Sequence, residues 1–350
     1  MNDVVIAGGG PAGLAAAIRG AQRGFRIVLF ERSEAPPDKA CGEGLMPSGV
    51  RELEKLGARV GESAPFRGIR YLQENGRAVE ALFREPGLGI RRTVLSQALR
   101  ERALECGVSL RRGTVKAARA RADRVEIDTD QGAVEAHLLV AADGLHSPLR
   151  RAAGLERPAA GPSRYGIRRH FALAPWSDLV EVHWSAGVEA YVTPVGPACV
   201  NVALLCDGGG RFDELLAHFP GLLQRLAGAP PASEIRGAGP LLRHARARHA
   251  ERLALLGDAA GYVDAITGQG LSLAFAAAGL LFEALPQDLS QDLGPALKRY
   301  DDDVRFRWLR YSIPAHALVA LSRRPTLRRG AIRSVAALPG AFAALVRVVQ

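Results

Sequence analysis

The sequence predicts an α/β fold: a parallel sheet starting at the N-terminus, antiparallel strands inserted into it, and a helical C-terminus. Three observations predict it. Two short apolar runs, Val4–Ala7 and Arg26–Phe30, bracket an alanine-rich segment with helical spacing at Leu14, Ala17, Ile18 and Ala21. That is a strand–helix–strand unit, the seed of a parallel sheet. The glycine cluster Gly8-Gly9-Gly10-Pro11-Ala12-Gly13 sits at its first turn. Alternating segments at about 108–142 and 163–206 have the two-residue period of antiparallel strands.

The elements follow in order. Residues 34–49 are rich in Pro and Gly and form a long loop. Arg51–Leu56 and Val94–Cys106 have helical character. From Val108 to Ala142 a three-stranded antiparallel excursion returns to a core strand at Leu138–Asp143. Pieces such as Leu179–Trp184, Glu189–Gly196 and Cys199–Leu205 form a second antiparallel sheet. Arg252–Gly257 is another core strand, followed by a loop and the apolar helix Leu271–Leu285. Residues 290–350 are helical, with breaks expected at Pro314, Pro325 and Pro339. Core-strand pieces lie on both sides of the antiparallel ones, so the domains are discontinuous. One comprises residues 1–65, 91–160 and 236–285, a second 66–90 and 161–235, and a helical segment 286–350.

Composition bounds the function. The 350 residues are 48% hydrophobic and 23% charged, enough for a sizeable core and too apolar for disorder. The net charge is +10, with lysine only at positions 39, 55, 116 and 298. Charge spread evenly over an arginine-rich surface explains this, as does a surface meeting an acidic carrier protein or anionic lipid. No aromatic-rich basic module points to nucleic acid. Cys41, Cys106, Cys199 and Cys206 fit neither a zinc site nor a disulfide framework, so no metal is expected and a reduced cytoplasm suits them. The chain enters a strand at once, leaving no room for a signal peptide. The longest uncharged stretch, Ala265–Phe282, opens on Thr-Gly-Gln-Gly and reads as a buried helix, not a membrane span.

Three motifs carry chemistry. Gly8, Gly10 and Gly13 occupy the GxGxxG positions, with Pro11 and Ala12 opening the helix. Such glycines permit a tight turn, close backbone approach to a pyrophosphate, and close packing of helix on strand. The free N–H groups of the helix start then face the phosphates. Glu31 ends the second strand, placed to accept hydrogen bonds from an adenosine ribose. In the second motif an apolar strand ends at Asp143-Gly144, followed by Ser147 and Arg150. In the third, Asp258 ends a strand, and Gly268-Gln269-Gly270 opens the helix beginning at Leu271. Taken singly, the second and third motifs are also what a capped turn looks like.

Together, in this order and spacing, the three motifs resemble the FAD-binding proteins of the p-hydroxybenzoate hydroxylase and geranylgeranyl reductase superfamily, over roughly residues 1–285. The resemblance implies a Rossmann-like FAD-binding domain of the glutathione-reductase type, an antiparallel substrate domain, and FAD as cofactor. It implies Asp258 and the helix start Gly268, Gly270 and Leu271 at the ribityl and pyrimidine end. It also places Arg92 near the ribityl–phosphate arm, though a surface arginine at a helix start fits as well. Arg32 lies along the adenosine or faces solvent. Val115 meets the adenine through its backbone or is a core valine.

The loop Lys39–Pro47 resembles both the CGGGL segment of the reductases and the GESLLP segment of flavin-dependent halogenases. Either way the resemblance places Cys41 and Gly42 beside the isoalloxazine ring. Cys41 contacts flavin or substrate, or is a small buried hydrophobe. Glu43 is a proton donor or bonds loop amides. Asp264 assists proton transfer or is a loop acid bonding nearby N–H groups. Trp184, Tyr191 and Thr193 line a substrate pocket with Cys41, or belong to the core.

Gly261 stands where most aromatic hydroxylases of this type carry His, which is closer to the reductases and halogenases. The lysine and the Trp-x-Trp-x-Ile-Pro segment that halogenases need are missing.

The leading expectation is an NAD(P)H-dependent monooxygenase, NAD(P)H binding only transiently. It hydroxylates or epoxidises a hydrophobic aromatic or polyketide-like molecule through a C4a-hydroperoxyflavin. A geranylgeranyl-reductase-like enzyme saturating isoprenoid double bonds is the alternative. A flavoprotein acting on a carrier- or protein-bound substrate is a third reading. The expected location is the cytoplasm, with peripheral membrane contact through the arginine-rich stretch Ala315–Val349 as a variant. Nothing in the sequence sets an oligomeric state.

Overall fold

The computed structural model describes residues 1–322 except Asn75, 159–163, Ala186, Val263 and Thr267, with side chains through Leu309. Its first sheet places Asn2–Ala7 between Ile27–Glu31 and Gly132–Ala141, parallel to both. Ser109–Arg112 and Leu253–Leu255 extend it at the two sides, also in parallel. The expected excursion is present: Val115–Ala120 and Val125–Thr129 run antiparallel and return through Gly132–Ala141.

The helices Pro11–Gln22 and Gly270–Ala284 share one core with this sheet, through Leu14, Ile18, Val140, Phe275 and Leu281. Strands buried on both faces read as continuous apolar runs. No described helix is long and apolar enough to cross a membrane, and Gly270–Ala284 is instead packed in this core.

The second sheet has eight strands, ordered Arg236–Ala238, Arg164–Phe171, Cys199–Asp207, Val188–Gly196, Val180–Ser185, Ala64–Leu72, Ala78–Gly89 and Gly44–Leu45. All its pairs are antiparallel except Val180–Ser185 with Ala64–Leu72. Alternation gives it two faces. One, bearing Val188, Ala190, Val192, Val200, Val202 and Leu204, packs on Phe212, Leu216 and Leu222 of two short helices. The opposite face carries Arg168, His170, Thr193 and Asn201.

Two details differ from the sequence reading. Gly44–Leu45 and Arg236–Ala238 fall within segments assigned to the first domain, yet they hydrogen-bond into the second sheet. Runs of two and three residues are too short for a period to reveal. The helix Gly294–Ser322 also continues through Pro314, where a break was expected. A proline removes one i→i−4 bond, and the bonds of flanking turns can carry a helix past it. Pro325, Pro339 and most of Ala315–Val349 lie outside the described residues.

Candidate cofactor and active site

The first glycine turn is shaped by contacts that no side chain could survive. Gly8 has φ +106°, and a Cβ there would overlap the carbonyl of Ala142 at the end of the neighbouring strand. A Cβ on Gly13 would overlap the carbonyl of Gly8. The helix starts at Pro11 with Gly10 as its N-cap and no side-chain cap. Its first N–H groups are therefore left for a ligand, at the positive end of the helix dipole.

Glu31 reaches this turn, but its oxygens already accept from the N–H groups of Gly9 (2.7 Å) and Ser33 (2.9 Å). Each oxygen keeps a second lone pair. Gly113 N–H donates to the Glu31 carbonyl (3.0 Å), holding the excursion at this strand end. The Val115 side chain is buried with Val28 and Phe30. Arg32 is exposed.

The second and third motifs are joined by a residue whose part the sequence did not reveal. Ser147 Oγ accepts from Arg150 N–H (2.9 Å) and caps the helix Pro148–Ala152. The Arg150 side chain, fully buried, donates to the carbonyls of Leu145 (3.0 Å) and Ala259 (3.0 Å) and pairs with Glu156 (3.1 Å). It thus fixes the loop containing Asp258 against the one containing Asp143. Only its place after Ser147 hinted at this, because the Ala259 carbonyl that links it to the third motif lies more than a hundred residues away.

Asp143 accepts from Leu149 N–H through Oδ2 (3.3 Å), while its buried Oδ1 has no hydrogen-bond partner. Burial pushes the Asp143 carboxyl above its ordinary range, opposed by bonds from Ser147 and Leu149. Desolvation by the surrounding cleft likewise pushes the exposed Asp258 up, opposed by the charges of Arg92 and Lys39.

The loop that enters the second sheet at Gly44 spans the distance between the two helix starts. At one end Arg92 N–H donates to Glu43 Oε1 (2.8 Å), and Arg92 Nη2 lies 3.6 Å from where a Cβ on Gly10 would sit. At the other, Met46 caps the helix Pro47–Leu56, which begins inside the expected loop 34–49; its Ser48 Oγ bonds Gln269 Oε1 (3.3 Å), and Met46 Sδ lies 3.8 Å from the Cβ position of Gly268. Gln269 N-caps the helix Gly270–Ala284 without a side-chain cap. Leu271 begins its packing against the main core. Burial raises the Cys41 thiol, and Arg92 opposes the rise.

These groups fit a dinucleotide. Two uncapped helix starts, a buried Arg92 Nε without a partner and the unpaired Asp143 Oδ1 converge from separate motifs. Gly42 would leave its Cβ in open space, so nothing crowds the loop there. No group of residues that could hold a metal ion occurs among the described residues.

On the sheet side, Asp264 is engaged. Arg164 Nη1 lies 3.1 Å from both its oxygens, and Ile266 N–H donates to Oδ1 (3.0 Å). Arg164 also pairs with Glu189 (3.1 Å), which accepts from Tyr191 OH (2.7 Å). Burial raises Asp264, and Arg164 opposes it. Thr193 is buried with its methyl against Gly44. Trp184 lies 5.1 Å from Tyr71, centroid to centroid, in a buried cluster with Met46, Phe66, Ile69, Val180 and Val182. The structure thus sets both Cys41 and Thr193 along the loop, Cys41 against Asn201 and Thr193 against Gly44, and puts Trp184 into packing.

Comparison with known proteins gives the family and the fold. Residues 1–193 match the family described as FAD binding domain. Digeranylgeranylglycerophospholipid reductase 1 of Methanopyrus kandleri is 29% identical over 338 residues, 87% of this chain and 85% of that protein. A menaquinone reductase of Mycolicibacterium smegmatis is 28% identical over 301 residues, 77% and 72% of the two chains. In solved structures, the halogenase PltM in complex with phloroglucinol and FAD superposes with a TM-score of 0.79 at 18% identity, covering 92% of this chain and 76% of that one. That likeness establishes the fold.

Proposed function

Since the chain belongs to the FAD binding domain family, FAD-dependent oxidoreductases by the company it keeps, we propose that it is an NAD(P)H-dependent monooxygenase of a hydrophobic, flat aromatic or polyketide-like molecule. Bound FAD would supply the electron transfer from NAD(P)H and the activation of O₂. The balance is substrate C–H plus NAD(P)H, a proton and O₂, giving substrate C–OH, NAD(P)⁺ and water.

The observation that carries this reading is the position of Met46. It belongs to the loop spanning both helix starts, yet is buried with Phe66, Tyr71 and Trp184 of the second sheet. The buried apolar cluster of the second sheet therefore extends to the cofactor side directly, beside the polar group Arg164, Glu189 and Tyr191. Apolar packing next to buried polar groups at the loop suits a substrate with an apolar body and a hydrogen-bonding head.

In this proposal Gly8, Gly10, Pro11, Ala12 and Gly13 receive the pyrophosphate and Glu31 the ribose. Arg92 and Asp143 flank the phosphate–ribityl arm, Asp258 accepts from the ribityl hydroxyls, and the Gly270 helix start faces the ring. Residues 1–65, 91–160 and 236–285 serve as the cofactor domain, with the short strands Gly44–Leu45 and Arg236–Ala238 lent to the second sheet. Delivery from an anionic membrane surface or an acidic carrier belongs to the proposal, and rests on the +10 charge.

The reductase relatives favour a second reading, in which hydride passes from reduced FAD to a carbon–carbon double bond and a proton completes it. One experiment separates the two. The FAD-loaded protein is turned over with NADPH on a long-chain alkylphenol under air, and on menaquinone without oxygen. A product gaining one oxygen supports hydroxylation, and one that keeps two extra hydrogens in its isoprenoid side chain after the quinol is reoxidised to the quinone replaces it with reduction. NADPH oxidation yielding neither product would overturn both.

Asp258 offers a prediction that separates cofactor binding from stability. Desolvation in the cleft raises its folded carboxyl above the ordinary 3.8, so any stability it contributes is lost as pH rises through that window. The side chain is exposed, and solvent screening keeps that contribution small. Asp258→Asn should therefore melt close to wild type as apoprotein at both pH 7 and pH 4. Its FAD affinity should fall about tenfold, the worth of one charge-assisted hydrogen bond. Calorimetry and FAD titration read the two properties, and an unchanged FAD affinity would count against the ribityl assignment.

A further inference from the structure

Glu43 is 2% exposed and one of only two non-glycine residues with positive φ among those described, at 59°. A left-handed glutamate is strained, and such strain persists only where surrounding contacts over-determine it. The contacts come from the second sheet. Residues His170, Asn201 and Thr193 form one row across three neighbouring strands, in direct register. The loop lies along this row residue by residue. Asn201 Nδ2 donates to the Cys41 carbonyl (3.0 Å), His170 Nε2 lies 2.5 Å from Glu43 Oε2, and Thr193 Cγ2 lies 3.7 Å from the Cβ position of Gly44. Arg168, one pleat along from His170, pairs with Asp38 at the start of the loop.

The hydrogen bonds also settle the protons. His170 Nδ1 faces Ser233 Oγ (2.9 Å) and Arg168 Nη1 (3.2 Å). A guanidinium only donates, and Ser233 Oγ already accepts from His170 N–H (3.1 Å) and Arg168 Nη1 (3.1 Å), which leaves its hydroxyl proton for Nδ1. Nδ1 is therefore the acceptor, and the ring proton sits on Nε2. Nε2–H donates to Glu43 Oε2, while Oε1 accepts from Arg92 N–H (2.8 Å). Both oxygens accept, so Glu43 is a carboxylate. No lysine or arginine among the described residues forms an ion pair with it. It is held by N–H dipoles and keeps its charge in a buried place, next to the loop that spans both helix starts.

We propose that Glu43 is a positioning residue that places a fixed negative charge beside the cofactor and holds the reduction potential of bound FAD down, with neutral His170 holding it there. The inference rests on FAD occupying the site and not on the identity of the substrate. Reduction adds electrons to the flavin, so a nearby buried carboxylate opposes it, and low dielectric leaves the effect poorly screened.

The test is a redox titration of FAD-loaded wild type, Glu43→Gln and His170→Gln, followed by the flavin absorbance. Wild type that cannot take up FAD would refute the functional reading itself. Given FAD binding, Glu43→Gln should shift the midpoint potential upward. His170→Gln should leave it close to wild type, because its amide N–H can still donate to a charged Glu43. An unchanged potential in Glu43→Gln overturns the proposal. An equal rise in both variants also overturns it, since loop displacement and not charge would then be the cause. Should Glu43→Gln fail to fold, the double variant E43Q/H170Q takes its place, because two amides can pair across the same gap without charge. It too must show the upward shift.

Discussion

Gly13→Ala should lose at least about 100-fold in FAD affinity, about 2.8 kcal/mol, and should also destabilise the apoprotein. The added methyl would occupy the space of the Gly8 carbonyl, which is backbone and cannot swing aside. The helix Pro11–Gln22 would have to lift from the turn, and with it the N–H groups offered to the phosphates. Gly10→Ala is the informative partner. Its methyl meets nothing nearer than Arg92 Nη2 at 3.6 Å, so the apoprotein should melt as wild type does. FAD affinity should nevertheless fall, since a pyrophosphate must approach the backbone there. Titration of apoprotein with FAD, alongside thermal unfolding, reads both variants. Gly13→Ala binding FAD as wild type does would refute the packing argument, and Gly10→Ala doing so would refute the phosphate assignment.

Arg164→Met should be the most damaging single change to the second sheet. Arg164 serves Glu189 and Asp264 at once, both nearly fully buried. Removing the cation from a buried ion pair costs about 3–5 kcal/mol, because the remaining charge is left uncompensated. Against a total stability of about 5–15 kcal/mol, that is a large share. The pH dependence of the variant follows. Asp264, already raised by burial in wild type, would rise further without the arginine, so the variant's stability should recover more strongly than that of wild type as pH falls. Asp264→Asn in the same chain should restore part of the loss. Urea unfolding of the four members of this cycle measures the coupling. Additive losses would show that Arg164 and Asp264 do not act as a pair.

This cluster shows where sequence reasoning stopped. Asp264 was visible as an acid between two glycine motifs, with proton transfer and loop bonding as its open readings. Its partner Arg164 lies a hundred residues away, on a strand whose own pattern gives no hint of a cation facing inward. Trp184 and Tyr191 were visible as aromatics in a sheet. Whether such residues line a pocket or fill a core depends on which face meets what, and period-two alternation does not say which. Here Trp184 packs on Tyr71, and Tyr191 spends its hydroxyl on Glu189.

The sequence by itself determined the parallel core, the glycine turn, the acid ending each later motif and the discontinuous order of the pieces. Each is written locally: apolar runs set strands, glycines permit one turn, and spacing of a few residues puts a helix start behind it. Tertiary structure alone decided that Arg150 ties the second motif to the third. It alone decided that Glu43 is held by His170 and Arg92, and that the two-residue strand at Gly44 joins the second sheet. These are contacts between residues distant in sequence, made by single side chains or by a two-residue strand. No periodicity records them, because a hydrogen bond across a hundred residues imposes no pattern on the residues between.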